Sequence, residues 1–296
     1  MAKEKKNNEK VQELLEQLEA GVSAVFTSDN YKRLLSMMGK FHHYSLRNNL
    51  LILTQMPTAT ICASFQLWKK LGYPVKKGSK GIKILVPIPY KYTVKAKSDG
   101  EDEYTEDAEE EETIEGLTFR VGNVFDVSQV SGELPEIAKD LTDDSPELQK
   151  AVDDIISAVD YITYDDKLLK SKSTKGYYSK TDDNIYLRPD MSASQTMKTL
   201  IHEMGHKQMH ADKDCIYNQH EREVQAESVA FVVCSAFGVC TSSYSFGYIA
   251  NWSEKHDLRE LQDSLNLINE TVQDIIKWIS EVCDLKTVEC LDLSAA

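Results

Sequence analysis

Across residues 8–20, Val11, Leu14, Leu15 and Leu18 fall on one side of a 3.6-residue period and Gly21 marks an end, which predicts an amphipathic helix. The same period returns at about 30–40, behind Ser28 or Asp29 as cap, and again from Ser45 to Pro57 through Leu50, Leu51, Ile52 and Leu53. A fourth helix is expected over Ala63–Leu71, stopped by Gly72. The pattern then changes. Gly78 and Gly81 open a stretch of strand composition at Ile82–Pro87, a mate is expected from Lys91–Val94, and Phe119–Val127 resumes the sheet. Past Pro146 the chain predicts a helix to about 160, short extended pieces at 161–164, 176–180 and 184–188, and helices at about 217–237, 245–256 and 257–283. Another helix lies between the extended pieces and residue 217, with Met197, Leu200, Ile201 and Met204 as its apolar stripe and Ser192 or Ser194 as its cap. The chain shows no internal repeat.

These elements make an α+β chain of two domains. Residues 1–132 combine helices with an antiparallel sheet, and residues 147–296 are mainly helical with a small sheet. Between them, residues 133–146 carry two prolines and several acids and are expected to form a linker. The length of 296 residues is sufficient for two such cores. No apolar run approaches the ~18–20 residues needed to cross a bilayer, and no apolar segment follows the charged N-terminus, so a cytoplasmic protein without membrane partners is expected. Six scattered cysteines (Cys62, Cys215, Cys234, Cys240, Cys283 and Cys290) form no C-x-x-C pair and are expected as reduced thiols.

The formal net charge of −14 hides a division of sign. Residues 30–98 contain thirteen lysines and arginines and no carboxylate, whereas residues 99–115 contain eleven acids and no base. The acidic tract has almost no apolar residues, and a disordered insertion between two strands is expected at 99–115. The basic block suits a polyanion. Phe41, Tyr44, Phe65, Trp68, Tyr73, Tyr90 and Tyr92 are interleaved with it, and cationic grooves with aromatic faces are what single-stranded nucleic acid requires. Most of these aromatics are equally at home in a core. The densest basic stretch is Val75–Lys83, whose glycines permit close backbone approach to phosphates.

Chemistry concentrates in His202-Glu203-Met204-Gly205-His206. Positions i and i+4 share a helix face, so His202 and His206 can direct nitrogens at one Zn²⁺, with Glu203 beside it as general base for an attacking water. A catalytic zinc takes three protein ligands. Downstream, Glu223 and Glu227 are four residues apart on a helix whose Val224, Ala226, Val229, Ala230 and Val233 supply a packing face. Glu223 is the expected third ligand, with Glu221, His210 and His220 as competitors. Glu227, one turn on, is expected to hydrogen-bond a ligand histidine and fix its tautomer, or else to be a solvated helix charge.

With both halves in view, the chain resembles ArdC-like antirestriction proteins of plasmids, conjugative elements and phages. The resemblance over about 44–132 rests on Tyr44–Ile52, Ala59-Thr60, Phe65–Trp68, Gly72–Ile82 and Val124–Gln129. Residues 147–250 resemble an ImmA/IrrE-type zinc metallopeptidase through His202-Glu203-x-x-His206 and Glu223-x-x-Ala226-Glu227. The resemblance implies a single-stranded DNA-binding domain, with Tyr44, Arg47, Asn48, Trp68, Lys76, Lys77, Lys80 and Lys83 as expected contacts, joined to a zincin-like domain with Zn²⁺ as cofactor. It also implies a role against host restriction, with a protein substrate or a restriction enzyme as possible partner. Two other readings stay open: a DNA-binding shield around a structural zinc, and a regulatory protease that cleaves a repressor. Tyr248, in the Tyr244–Trp252 stretch, is a further candidate, to stabilise an oxyanion or to pack in the core. The helical tail beyond about Asp257 has no evident role.

Overall fold

The computed structural model describes residues 2–25, 28–95, 111–132, 145–171, 173–212, 215–239, 241 and 257–287. Four helices open the chain: α1 (Ala2–Val25), α2 (Ser28–Lys40), α3 (Leu46–Gln55) and α4 (Phe65–Lys70). Ser45 caps α3 through the Asn48 amide, and Ser64 caps α4 through the Leu67 amide. The fourth helix starts two residues later than its composition suggests, because Cys62–Ser64 pair as strand β1 with Val124–Asp126.

Strands β2 (Ile82–Lys95) and β3 (Glu111–Asp126) form a long antiparallel hairpin, and the sheet order is β1-β3-β2. The expected break at Pro87 is absent: β2 continues through Pro87 and Pro89. It is an edge strand, where a missing N–H interrupts no ladder on the solvent side. The expected acidic insertion at 99–115 is corrected at its C-terminal end. Residues 111–115 belong to β3, in a register that sets Lys91 opposite Glu115 and Lys95 opposite Glu111. The rest of that tract, 99–110, lies outside the described residues, as do 133–144 of the expected linker and the expected helix at 245–256.

The second half opens with α5 (Pro146–Ser157), capped by Ser145 with proline in its first turn. Strands β4 (Ile162–Tyr164), β5 (Gly176–Ser179) and β6 (Asn184–Leu187) follow in the order β4-β6-β5, with β4 parallel and β5 antiparallel to β6. Three longer helices complete this half: α6 (Ala193–His210), α7 (Gln219–Ala236) and α8 (Leu258–Val282). Capping boxes at Asn218/Glu221 and Asp257/Glu260 start α7 and α8.

The two halves share one apolar interior. Leu14 and Leu18 of α1, Leu34 and Leu35 of α2, and Leu50 of α3 join Ile201, Phe231, Leu265 and Ile268 in a continuous cluster. Across it, the Tyr31 hydroxyl meets Ser228 Oγ at 2.9 Å. From α8, Gln273 Nε2 donates to the carbonyls of His42 and Tyr44 at 3.0 and 3.3 Å. Among the described residues, no helix is long and apolar enough to cross a membrane.

A shared interior predicts a single cooperative unfolding transition by calorimetry. Leu265 is fully buried on α8, and its change to alanine is expected to lower stability by about 2–5 kcal/mol for the whole molecule. Two separable transitions, with only the second sensitive to Leu265→Ala, would contradict the shared core.

Candidate metal centre and nucleic-acid interface

Helix α6 buries Met197, Leu200, Ile201 and Met204 and leaves His202 and His206 partly exposed on the opposite side. Gly205 and Ala226 let α6 and α7 approach closely; a Cβ added at Gly205 would lie 3.4 Å from the Ala226 Cα. That approach brings Glu223 of α7 over the two histidines. His202 Nε2 and His206 Nε2 are 3.1 Å apart, and the Glu223 carboxylate is 3.4 Å from the first and 3.6 Å from the second. Two nitrogens bound at ~2.0–2.1 Å to one tetrahedral ion would be about 3.3 Å apart. Donor atoms of His202, His206 and Glu223 all lie within 4.8 Å of one another, so the cluster fits one divalent cation; two imidazoles and a carboxylate are a set that Zn²⁺ accepts.

Glu203 is buried beside this cluster. Its Oε2 accepts a 2.8 Å hydrogen bond from the Tyr178 amide of β5. Strand β5 can lie this close because Gly176 has no side chain: a Cβ there would stand 2.7 Å from the Thr199 methyl and 2.9 Å from the Tyr186 carbonyl. Burial pushes the Glu203 carboxyl upward, against the opposing charges of His202 and His206. These groups line a cleft of about 690 Å³, with Lys175, Lys198 and Arg222 on its walls.

Glu227 Oε2 is 3.2 Å from His202 Nδ1, on the side of the ring away from Glu223. Burial disfavours the charged form of His202, but hydrogen bonds to Glu223 and Glu227 outweigh it and lift the ring to about 10. Hydrogen bonds from His202 and His206 hold Glu223 well below the ordinary carboxylate range. The competitors for third ligand sit elsewhere. Glu221 closes the α7 capping box, with Oε2 2.9 Å from the Asn218 amide, and His220 is solvent-exposed. His210 stands behind His206, Nδ1 to Nδ1 at 3.1 Å, and burial lowers it to about 4. In the sequence His210 is visible only as a competing ligand, through the repeat His202, His206, His210, and Gln225 and Ser264 carry no signal. Tyr248 lies outside the described residues.

The expected DNA contacts divide into two groups. Trp68 is wholly buried and its indole N–H donates to the Phe125 carbonyl at 2.7 Å, so it offers no face to a base; the expectation is corrected in favour of core packing. Asn48 is likewise interior, its amide closing on both the N–H and the C=O of Leu85 at 2.9 and 3.0 Å, which fixes α3 to β2. The half-buried Tyr44 donates to the Cys62 carbonyl at 3.0 Å. Arg47, Lys76, Lys77, Lys80 and Lys83 are exposed. The basic loop that carries most of them has a defined shape. Gly78 turns it at φ 87°, and Gln129 clamps it, accepting from the Lys76 amide at its carbonyl and donating Nε2 to the Lys80 carbonyl, both at 2.8 Å. Gln129 is held in turn by Asp126, a buried residue whose carboxylate receives the amides of Thr60, Ile61 and Ser128.

Fold and cluster together define an α+β protein with a two-histidine, one-carboxylate cluster lining a cleft and a hydrogen-bonded basic loop on its N-terminal half. Residues 5–125 match the family described as the N-terminal domain of anti-restriction factor ArdC. The uncharacterized Bacillus anthracis protein pXO2-81 is 26% identical over 92% of this chain, and the chain spans about half (52%) of that relative's length. The antirestriction ArdC protein of plasmid R388 is similar in its metal-free structure, with 25% identity, 80% of this chain and 84% of that one covered, and a TM-score of 0.45. Its Mn(II)-bound structure gives 20% identity, 91% and 96% coverage and a TM-score of 0.49.

A cation at this cluster competes with the proton on His202. Because that ring is held protonated up to about pH 10, affinity for the ion must rise with pH across the neutral range, by up to tenfold per unit. Chelator competition with Zn(II) at pH 6, 7 and 8 is expected to show this gain, with proton release on binding. An affinity independent of pH would contradict a His202 that must lose a proton to bind the ion.

Proposed function

We propose that this chain is an antirestriction protein of a mobile element or phage that binds single-stranded DNA and carries a zinc peptidase site. The reading is carried by one observation: His202, His206 and Glu223 converge beside a buried Glu203. The ArdC-like N-terminal part supports the antirestriction role. In this reading residues 1–132 are the DNA-binding domain and 147–296 the peptidase domain, each resting on the other's core.

His202, His206 and Glu223 would hold the ion, which supplies Lewis acidity to a peptide carbonyl and acidifies a water. Glu203 takes the proton from the attacking water and passes it to the leaving amine. Its raised carboxyl suits both steps, since a base poised nearer neutrality can also act as an acid. The Tyr178 amide fixes the Glu203 carboxylate, leaving one oxygen for the transfer. Strand β5 is the edge of its sheet beside this carboxylate, and an extended peptide can add to it by backbone pairing. On the other half, Lys77, Lys80 and Lys83 project from the clamped loop and its following strand to neutralise successive phosphates.

Glu203→Gln is expected to keep its bound zinc and to lose hydrolysis of an unfolded protein substrate by on the order of 10²–10⁴-fold. Protection of incoming DNA should fall with it; protection that survives would assign antirestriction to DNA binding alone. Replacing Lys77, Lys80 and Lys83 together by alanine should weaken binding to a single-stranded oligonucleotide. It should also reduce the slope of log affinity against log salt by about 2. An unchanged slope would place the DNA on another surface.

A further inference from the structure

Behind His206 a line of buried polar groups crosses three helices. His206 Nδ1 meets His210 Nδ1 at 3.1 Å, His210 Nε2 meets Gln225 Oε1 at 2.8 Å, and Gln225 Nε2 donates to Ser264 Oγ at 2.7 Å. His210, Gln225 and Ser264 are each no more than 1% exposed, and each finds a hydrogen-bond partner within this line. The line runs from α6 through α7 to α8. Tyr217 sets its ring edge-on to His210, with centroids 6.4 Å apart.

Donor counting gives this line a direction. A neutral imidazole has one N–H and one lone pair. If the lone pair of His206 Nε2 faces an ion, the proton must sit on Nδ1 and be donated to His210 Nδ1. His210 then carries its own proton on Nε2 and donates it to Gln225 Oε1, which turns the amide N–H₂ toward Ser264. The opposite direction puts a proton on His206 Nε2 and removes that nitrogen as a ligand. The amide orientation in the structure, Oε1 to His210 and Nε2 to Ser264, is the ligand-competent one.

We infer that His210, Gln225 and Ser264 are positioning residues that hold His206 in its ligating tautomer and orientation. This gives α8, the helix without a role in the sequence, a part in the metal site. The inference rests on His206 being a ligand, as proposed above. The two histidines are thus supported by different chemistry. His202 has a half-exposed carboxylate behind it, and His206 has a neutral, fully buried chain. Outer partners of this kind set ligand geometry, and their loss costs about 10–100-fold in metal affinity.

The test uses the full chain with Zn(II) and, separately, Mn(II). His210→Phe keeps a ring of similar size and removes both hydrogen bonds. It is expected to weaken both ions about 10–100-fold while leaving the thermal midpoint of the metal-free protein within a few degrees. Ser264→Ala, the milder change at the far end, should weaken them in the same direction by a smaller factor. Unchanged affinity in both variants would overturn the inference, with the metal site intact. A wild-type chain that binds neither ion would overturn the site itself, and that result is visible before any variant is made. If His210→Phe does not fold, imidazole ¹⁵N NMR of the zinc-loaded wild type decides. His210 protonated at Nε2 with a bare Nδ1 supports the inference, and a proton on Nδ1 overturns it.

Discussion

Helix α6 can present two imidazoles and a carboxylate to one cleft because it packs closely alongside α7. Met197, Leu200, Ile201 and Met204 anchor the face away from the histidines in the core, and the Gly205–Ala226 contact lets the two helix backbones approach. This packing takes Glu203 out of water and carries Glu223 across to the histidines in the same movement. Burying a carboxylate is costly unless it is hydrogen-bonded. The Tyr178 amide and the two neighbouring histidines meet that cost at Glu203, and they leave its carboxyl high enough to exchange a proton. Without the close approach of the helices, the same residues would be three solvated side chains with no common centre.

The opposite sides of the same helices join the two halves of the molecule. Helix α7 lies between the site and α2, where Tyr31 bonds Ser228, and α8 reaches both the His42–Tyr44 turn through Gln273 and the Gln225 amide through Ser264. On α8, residues 264 and 273 are nine apart, or about 13.5 Å along the axis. A single helix thus spans the distance between the N-terminal turn and the polar groups behind His206. The basic loop and the cleft, from distant stretches of chain, are therefore built on one continuous core.

What could be seen in the sequence was whatever depends on spacing. The i, i+4 pairs His202/His206 and Glu223/Glu227 and the apolar stripe of α6 are local periodicities, and each found its place. The small strands at 162–164, 176–179 and 184–187 also followed from composition. What could not be seen depends on neighbours distant in sequence. Trp68 looked like a contact for nucleic acid because it stands beside Lys69 and Lys70 in the basic block, and Asn48 because the resemblance implies it. Only the pairing of Trp68 with Phe125 and of Asn48 with Leu85 shows them as internal struts. Pro87 looked like a strand end because the edge position of β2 is a property of the sheet. The acids at 111–115 looked unable to order because the backbone they pair with, residues 91–95, is distant in sequence. Ser264, fifty-eight residues from His206, carries no local sign at all.

The central claim is that two histidine nitrogens and the Glu223 carboxylate share one cation. Pulsed EPR of the Mn(II)-loaded chain tests it directly, because directly bound imidazole nitrogens produce a ¹⁴N modulation that solvated Mn(II) lacks. The account predicts coupling to two histidine nitrogens in the wild type, to one after His206→Ala, and a marked loss of bound ion after Glu223→Ala. A bound ion with no nitrogen coupling, or one whose spectrum is indifferent to both substitutions, would contradict it.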